Sequence, residues 1–149
     1  MIISALKSSD NLDNRSPIHP DTISALIKLE ANVCFESGIG DGIFTSDDVF
    51  HKLGLKPQSR EDCIKNSDLL ISNQPLTNDE VLLMKPGSTL LGMVNPFSNQ
   101  ELINTCARHQ INLASMEFIP RITRAQKMDV LSSQANLAGY AAVIESAKY

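Results

Sequence analysis

The sequence predicts an α/β fold, a three-layer sandwich with a mostly parallel sheet, and three observations carry that prediction. Five short apolar runs lack strict alternation, as strands buried on both faces should. Segments with explicit helix starts separate them. The two kinds of element alternate along the chain, a rhythm that fits right-handed β-α-β crossovers. At 149 residues, 42% apolar and 20% charged, the chain is the size of one ordinary globular domain.

Residues 2–6 form the first predicted strand. The run lacks a basic start and is too short to be the core of a signal peptide. A polar stretch leads to Pro20, which fits a first-turn position because the missing N–H costs nothing there. Ile23, Leu26 and Ile27 then mark one apolar helix face. Residues 32–36 form the second strand. Gly38, Gly40 and Gly42 follow it in ESGIGDG, and the spacing G-x-G-x-G differs from the G-x-G-x-x-G of a dinucleotide loop. Ile43 and Phe44 also separate the last glycine from the next helix start. The run reads as a tight turn.

Thr45 with Asp48, Ser59 with Asp62, Thr77 with Glu80, and Ser98 with Glu101 have the hydroxyl-x-x-acid spacing of a capping box. Each predicts a helix start. Gly54 and the run Lys85-Pro86-Gly87 mark stops. Residues 68–72, 88–94 and 111–115 complete the expected strands. The fold is thus Rossmann-like or flavodoxin-like, without a dinucleotide fingerprint.

The last helix is expected from about residue 133 to 149, with no glycine stop, proline or loop composition. Ala135, Ala138, Gly139 and Ala142 fall at i, i+3, i+4 and i+7, which leaves one face nearly flat. A mid-helix glycine costs ~1 kcal/mol relative to alanine, and close approach of another backbone would compensate. That backbone belongs either to the chain's own sheet or to a partner. The missing stop predicts that the helix continues beyond residue 149.

Several function classes are disfavoured. A net charge of −4 argues against nucleic-acid or anionic-membrane surfaces. No apolar run approaches the ~20 residues of a membrane-spanning helix. Cys34, Cys63 and Cys106 show no paired spacing and read as buried free thiols of a reducing cytoplasm. His19, His51 and His109 show no ligand spacing, so no metal site is expected. No nucleophile elbow or Cys/His frame is legible.

Residues 120–145 hold the most informative chemistry. Arg121, Arg124, Gln126, Asp129, Ser132 and Ser133 are poor core material. Arginine offers a fixed fork of donors suited to phosphate or carboxylate. Glutamine and serine both give and take hydrogen bonds at a carboxamide or a ribose. Asp129 either fixes an arginine or accepts from a ribose hydroxyl. The plainer alternative is a solvated loop, with Ser132 or Ser133 capping the last helix.

The run PRITRAQKMDVLSSQANLAGY, residues 120–140, resembles a signature of the alpha subunit of proton-translocating NAD(P) transhydrogenase. It fits P-R-I-[ST]-R-A-Q-x-M-D-x-L-S-S-x-x-N-L-A-G-Y with no fixed position lost. Weaker similarity runs through HPDTISALIKL, VCFESGIGDG, KPGSTLLGMVNPFSNQEL and MEFIPR, while the first twenty residues match poorly. The resemblance implies that Arg121, Gln126 and Asp129 meet the nicotinamide end of NAD(H) and a neighbouring NADP(H)-binding component, and act in hydride transfer. It also implies that Ser132 contacts the nicotinamide, with Tyr140 in the following helix.

The implied organisation is an N-terminal domain over residues 1–149. Residues 133–149 then begin a crossover helix to a separate NAD-binding Rossmann domain. The implied partners are that domain, the NADP-binding component, a membrane domain indirectly, and a second copy in a homodimer. The location implied is cytoplasmic, peripheral at the inner membrane. Two rivals stand beside this reading. One is a non-catalytic interaction module or degenerate fragment of the same fold. The other is an alanine dehydrogenase-type substrate domain. For that second rival Arg15 matches the expected arginine, but Ser72 stands where a lysine is expected and Asn95 near where a histidine is expected.

Overall fold

The structure, a computed structural model, describes residues 1–28 and 30–148. Six strands form one wholly parallel sheet: β1 (Ile2–Ala5), β2 (Asn32–Glu36), β3 (Lys56–Gln58), β4 (Leu69–Ser72), β5 (Thr89–Gly92) and β6 (Asn112–Ser115). Their order is β3-β2-β1-β4-β5-β6. The five expected strands are all present. The sixth, β3, was not expected, because Lys-Pro-Gln lacks an apolar run and proline interrupts a ladder anywhere but at an edge. An edge is where it lies, paired only with β2. This short strand changes the topology. Without it the order would be flavodoxin-like, and with it the order is that of the doubly wound Rossmann sheet.

The helices are α1 (Pro20–Ile27), α2 (Asp47–Lys52), α3 (Arg60–Asn66), α4 (Asn78–Leu83), α5 (Gln100–Arg108) and α6 (Val130–Ser146). On one face of the sheet α3, α4 and α5 bury Cys63, Ile64, Val81, Met84, Leu102 and Cys106 against Leu6, Leu70 and Leu90. On the other face α1 and α2 bury Ile23 and Phe50 against Ala5, Val33 and Phe35. The rings of Phe35 and Phe50 lie 5.2 Å apart. This second layer stops at the middle of the sheet. Ile71, Leu91 and Met93 beyond it remain half-buried.

Capping follows the sequence in part. Thr77 and Glu80 form a complete box at α4, and Ser59 accepts from the Asp62 N–H at α3. Pro20 occupies the first turn of α1, with His19 as its cap. Two expectations fail. The cap of α2 is Ser46 rather than Thr45, and that of α5 is Asn99 rather than Ser98, neither with a side-chain bond. Instead Asp47 accepts the Gly38 N–H, and Asn99 donates to the Val94 carbonyl at 2.9 Å. The side chains tie their helices to neighbouring loops.

The glycine run is a tight turn, as expected. A Cβ at Gly40 would meet the Thr45 carbonyl oxygen at 2.2 Å, and one at Gly42 the Asn14 oxygen at 2.3 Å. Beneath it Arg60 joins the C-terminal ends of β1 and β2 to α4. It donates to Glu80 at 2.6 Å, Glu36 at 2.9 Å and the Lys7 carbonyl at 3.0 Å. All three thiols are buried, and burial pushes the Cys63 thiol up to about 12.

The last helix departs from expectation twice. It begins at Val130 with Asp129 as its cap, so neither Ser132 nor Ser133 caps it. It also buries no residue, and nothing lies within 4 Å of a Cβ placed on Gly139. Packing on the chain's own sheet is thereby ruled out as the reason for the small-residue face. Tyr149, in the expected span of that helix, lies outside the described residues.

Candidate functional site

The connections from β1 and β4 leave in opposite directions, which opens a crevice at the C-terminal edge of the sheet where ligands of such folds bind. A cavity of about 720 Å³ lies there, with Arg15, Ser72, Met93, Met116, Leu131 and Gln134 in its wall. The first and last thirds of the chain meet across it.

The loop between β1 and α1 is strapped over one side of this crevice. Gln74, just past β4, accepts from the Ser9 N–H at 3.1 Å and the Ser9 hydroxyl at 2.9 Å. Arg15 is held in a two-point pair with Asp13, at 2.7 and 2.8 Å. That pairing occupies the fork a substrate carboxylate would need. Ser72 is buried, and its hydroxyl donates to the Gln74 carbonyl at 2.7 Å. Asn95 is exposed in a left-handed turn (φ 49°) just beyond β5 and does not line the cavity. The three positions considered for keto-acid chemistry thus supply a neutralised arginine and no base.

The other side is built by the polar run. After β6 the chain makes a 3₁₀ turn at Met116–Phe118, an extended stretch through Pro120, and a second 3₁₀ segment at Thr123–Met128. Ala125 is the buried anchor of that segment, 5% exposed. Arg121, Arg124 and Gln126 are exposed, and their side chains have no hydrogen-bond or ion-pair partner among the described residues. Such a segment is held by a few backbone bonds, such as Ala125 N–H to the Ile122 carbonyl at 2.9 Å.

Asp129 behaves differently. It is 8% exposed, and its two oxygens accept from the Ser132 N–H at 2.9 Å and the Ser132 hydroxyl at 2.6 Å. Its main-chain oxygen accepts from the Ser133 hydroxyl at 3.0 Å. The Ser132 bonds, helped by the charge of Arg121, hold its carboxyl below the usual range. Carboxylates favour helix N-termini because the unsatisfied N–H groups there carry partial positive charge. Of the four residues expected to form the site, Asp129 and Ser132 are thus joined. Arg121 sits close enough to feel Asp129, while Gln126 stands apart on the 3₁₀ segment. Ser132 gives its proton to the bond with Asp129 and keeps its oxygen as an acceptor.

Glu117 carries no recognisable spacing, yet it contacts Asn95, twenty-two residues away, through a 2.7 Å bond. Gln134 likewise joins the cavity wall only through tertiary packing. No local pattern marks either residue.

Comparison with known proteins shows the family and the fold. The family model described as alanine dehydrogenase/PNT, N-terminal domain, matches residues 6–138. An NAD(P) transhydrogenase alpha-subunit protein of Rickettsia prowazekii (strain Madrid E) is 36% identical over 151 residues, covering 98% of this chain and 39% of that protein. The crystal structure of a transhydrogenase from Sinorhizobium meliloti superposes with a TM-score of 0.93 at 34% identity, over 99% of this chain and 44% of that one. An L-alanine dehydrogenase shares the fold, with a TM-score of 0.71 at 19% identity over 80% of this chain and 33% of that one. The chain therefore spans less than half the length of these relatives.

Proposed function

Since the chain belongs to the alanine dehydrogenase/PNT N-terminal domain family, we propose that it forms part of the NAD(H)-binding component of a proton-translocating NAD(P) transhydrogenase. The observation that carries this reading is the contrast within one loop. Arg121 and Gln126 are exposed with no side-chain partner among the described residues, while Asp129 is buried and each of its carboxylate oxygens accepts a bond from Ser132. A loop that only connected two elements would not need its polar groups divided in this way.

These residues fit a nicotinamide ring and its carboxamide. Arg121 and Gln126 orient the ring by hydrogen bonds, Ser132 offers its oxygen to the carboxamide N–H, and Asp129 fixes the start of α6 beneath them. The bound dinucleotides supply the hydride chemistry, so the protein's task is to hold and align them. No protein acid or base is required.

We place NADP on a neighbouring component and the pyrophosphate of NAD in a Rossmann domain to which α6 crosses over. A second copy would pair with this one in a homodimer. Leu137, Tyr140 and Val143 stand exposed on α6 as contact surface for such partners. Among the described residues no helix is long and apolar enough to cross a membrane. In this reading the chain is cytoplasmic and reaches the inner membrane through other subunits. The exposed α6 also supports a second reading, in which the domain is a non-catalytic interaction module.

Substitution of Gln126 by leucine in the assembled enzyme distinguishes the two. Hydride transfer between NADH and NADP+ is expected to fall about 100-fold, the scale of a misaligned reacting pair. An unchanged rate would remove the loop from the reaction.

A further inference from the structure

We infer that Glu117 is a positioning residue that sets the root of the Arg121–Gln126 loop by clamping it to the turn after β5; this rests on the function proposed above. Its carboxylate bridges two elements. One oxygen accepts from the Asn95 N–H at 2.7 Å, and the other accepts from the Ser115 hydroxyl at 2.7 Å. Asn95 takes a left-handed backbone (φ 49°), a conformation that asparagine tolerates better than most residues. That turn aims its N–H across to the neighbouring strand's exit.

A second contact ties the same two turns. The rings of Phe97 and Phe118 meet edge to face at 5.6 Å and 78°, although both are largely exposed. An aromatic pair of this geometry is attractive through its quadrupoles. Pro120 follows three residues after Glu117, so an error in this root passes directly into the loop. Beyond Pro120, the loop has one buried side chain, Ala125, before it reaches Asp129. The clamp and the α6 cap are therefore the two fixed ends between which Arg121 and Gln126 are presented.

The test compares Glu117→Ala with Glu117→Gln, whose amide keeps an acceptor for Asn95 and a donor for Ser115. Amide exchange is measured on the chain itself, and steady-state hydride transfer on the assembled enzyme. For the alanine variant, exchange across residues 119–128 is expected to accelerate about 10-fold, and kcat to fall about 10- to 100-fold with KM for NADH within about 3-fold. Glutamine should restore both.

Unchanged loop exchange in Glu117→Ala would overturn the clamp whatever the enzyme does. A loss of kcat that glutamine fails to restore would overturn it as well. If loop exchange rises and kcat holds while Gln126→Leu is inactive, the loop acts but its root does not position it. If Gln126→Leu is also fully active, the functional reading itself fails.

Discussion

Asp129 and Ser132 show how one residue's environment assigns its work. Residue types alone leave Asp129 free to orient an arginine, bind a ribose or cap a helix. Two bonds from Ser132 make it a cap, and its lowered pKa adds a consequence. A carboxyl whose folded pKa lies below its unfolded value stabilises the fold fully above that value, and the contribution disappears as pH falls through the folded pKa. The start of α6 should therefore hold above the usual aspartate range, about pH 4, and loosen as the pH falls below it. Amide exchange at Ser132 and Ser133, followed from pH 6 down to pH 2, checks this, the two limits being about two units to either side of that range. Asp129→Asn should flatten the dependence, because the amide keeps an acceptor but loses the charge. Arg15 carries the same lesson, since its motif-like position meant less than Asp13 beside it.

At the level of elements, local signals worked wherever the chain answers to itself. Pro20, Gly54, Gly87 and the Thr77–Glu80 box stand where their backbone preferences put them. They failed where another element competed. Asp47 and Asn99 serve neighbouring loops, so the helix starts shift by one residue. Strand β3 was invisible because an exposed edge strand asks for no apolar side chains. Helix α6 is the informative case. Gly139 has open space around it, so Gly139→Ala should stabilise α6 in this chain by about 1 kcal/mol through helix propensity. Helical content and the thermal midpoint measure that gain. A penalty for the same substitution in the assembly proposed above would show that a partner backbone approaches there.

Across the whole molecule, the two faces of the sheet are unequal. Three helices cover the face that carries Leu70 and Leu90, whereas α1 and α2 leave Ile71, Leu91 and Met93 half-exposed beside the crevice. The crevice wall is largely apolar, with Arg15, Ser72 and Gln134 among its few polar side chains, and among the described residues no glycine-rich loop opens onto a helix there. NAD should consequently bind this chain only weakly, with a Kd of about 1 mM or above, which is roughly −4 kcal/mol. Calorimetric titration of the chain with NAD+ decides the point. Micromolar binding would mean that the phosphate site lies within these residues after all.

Sequence by itself determined the α/β class, five of the six strands, the rejection of the glycine run and the family, because apolar periodicity, caps and motif spacing are local properties. It also singled out the polar loop, since arginines, a glutamine and an aspartate have no place in a core. Only the tertiary structure decided which of those residues are bonded and which face solvent. Asp129 turns inward while Arg121 and Gln126 turn outward, and Glu117, in the turn after β6, meets Asn95 in the turn after β5. Those distinctions depend on which groups the fold brings within three ångströms, and spacing along a chain does not encode distance across a sheet.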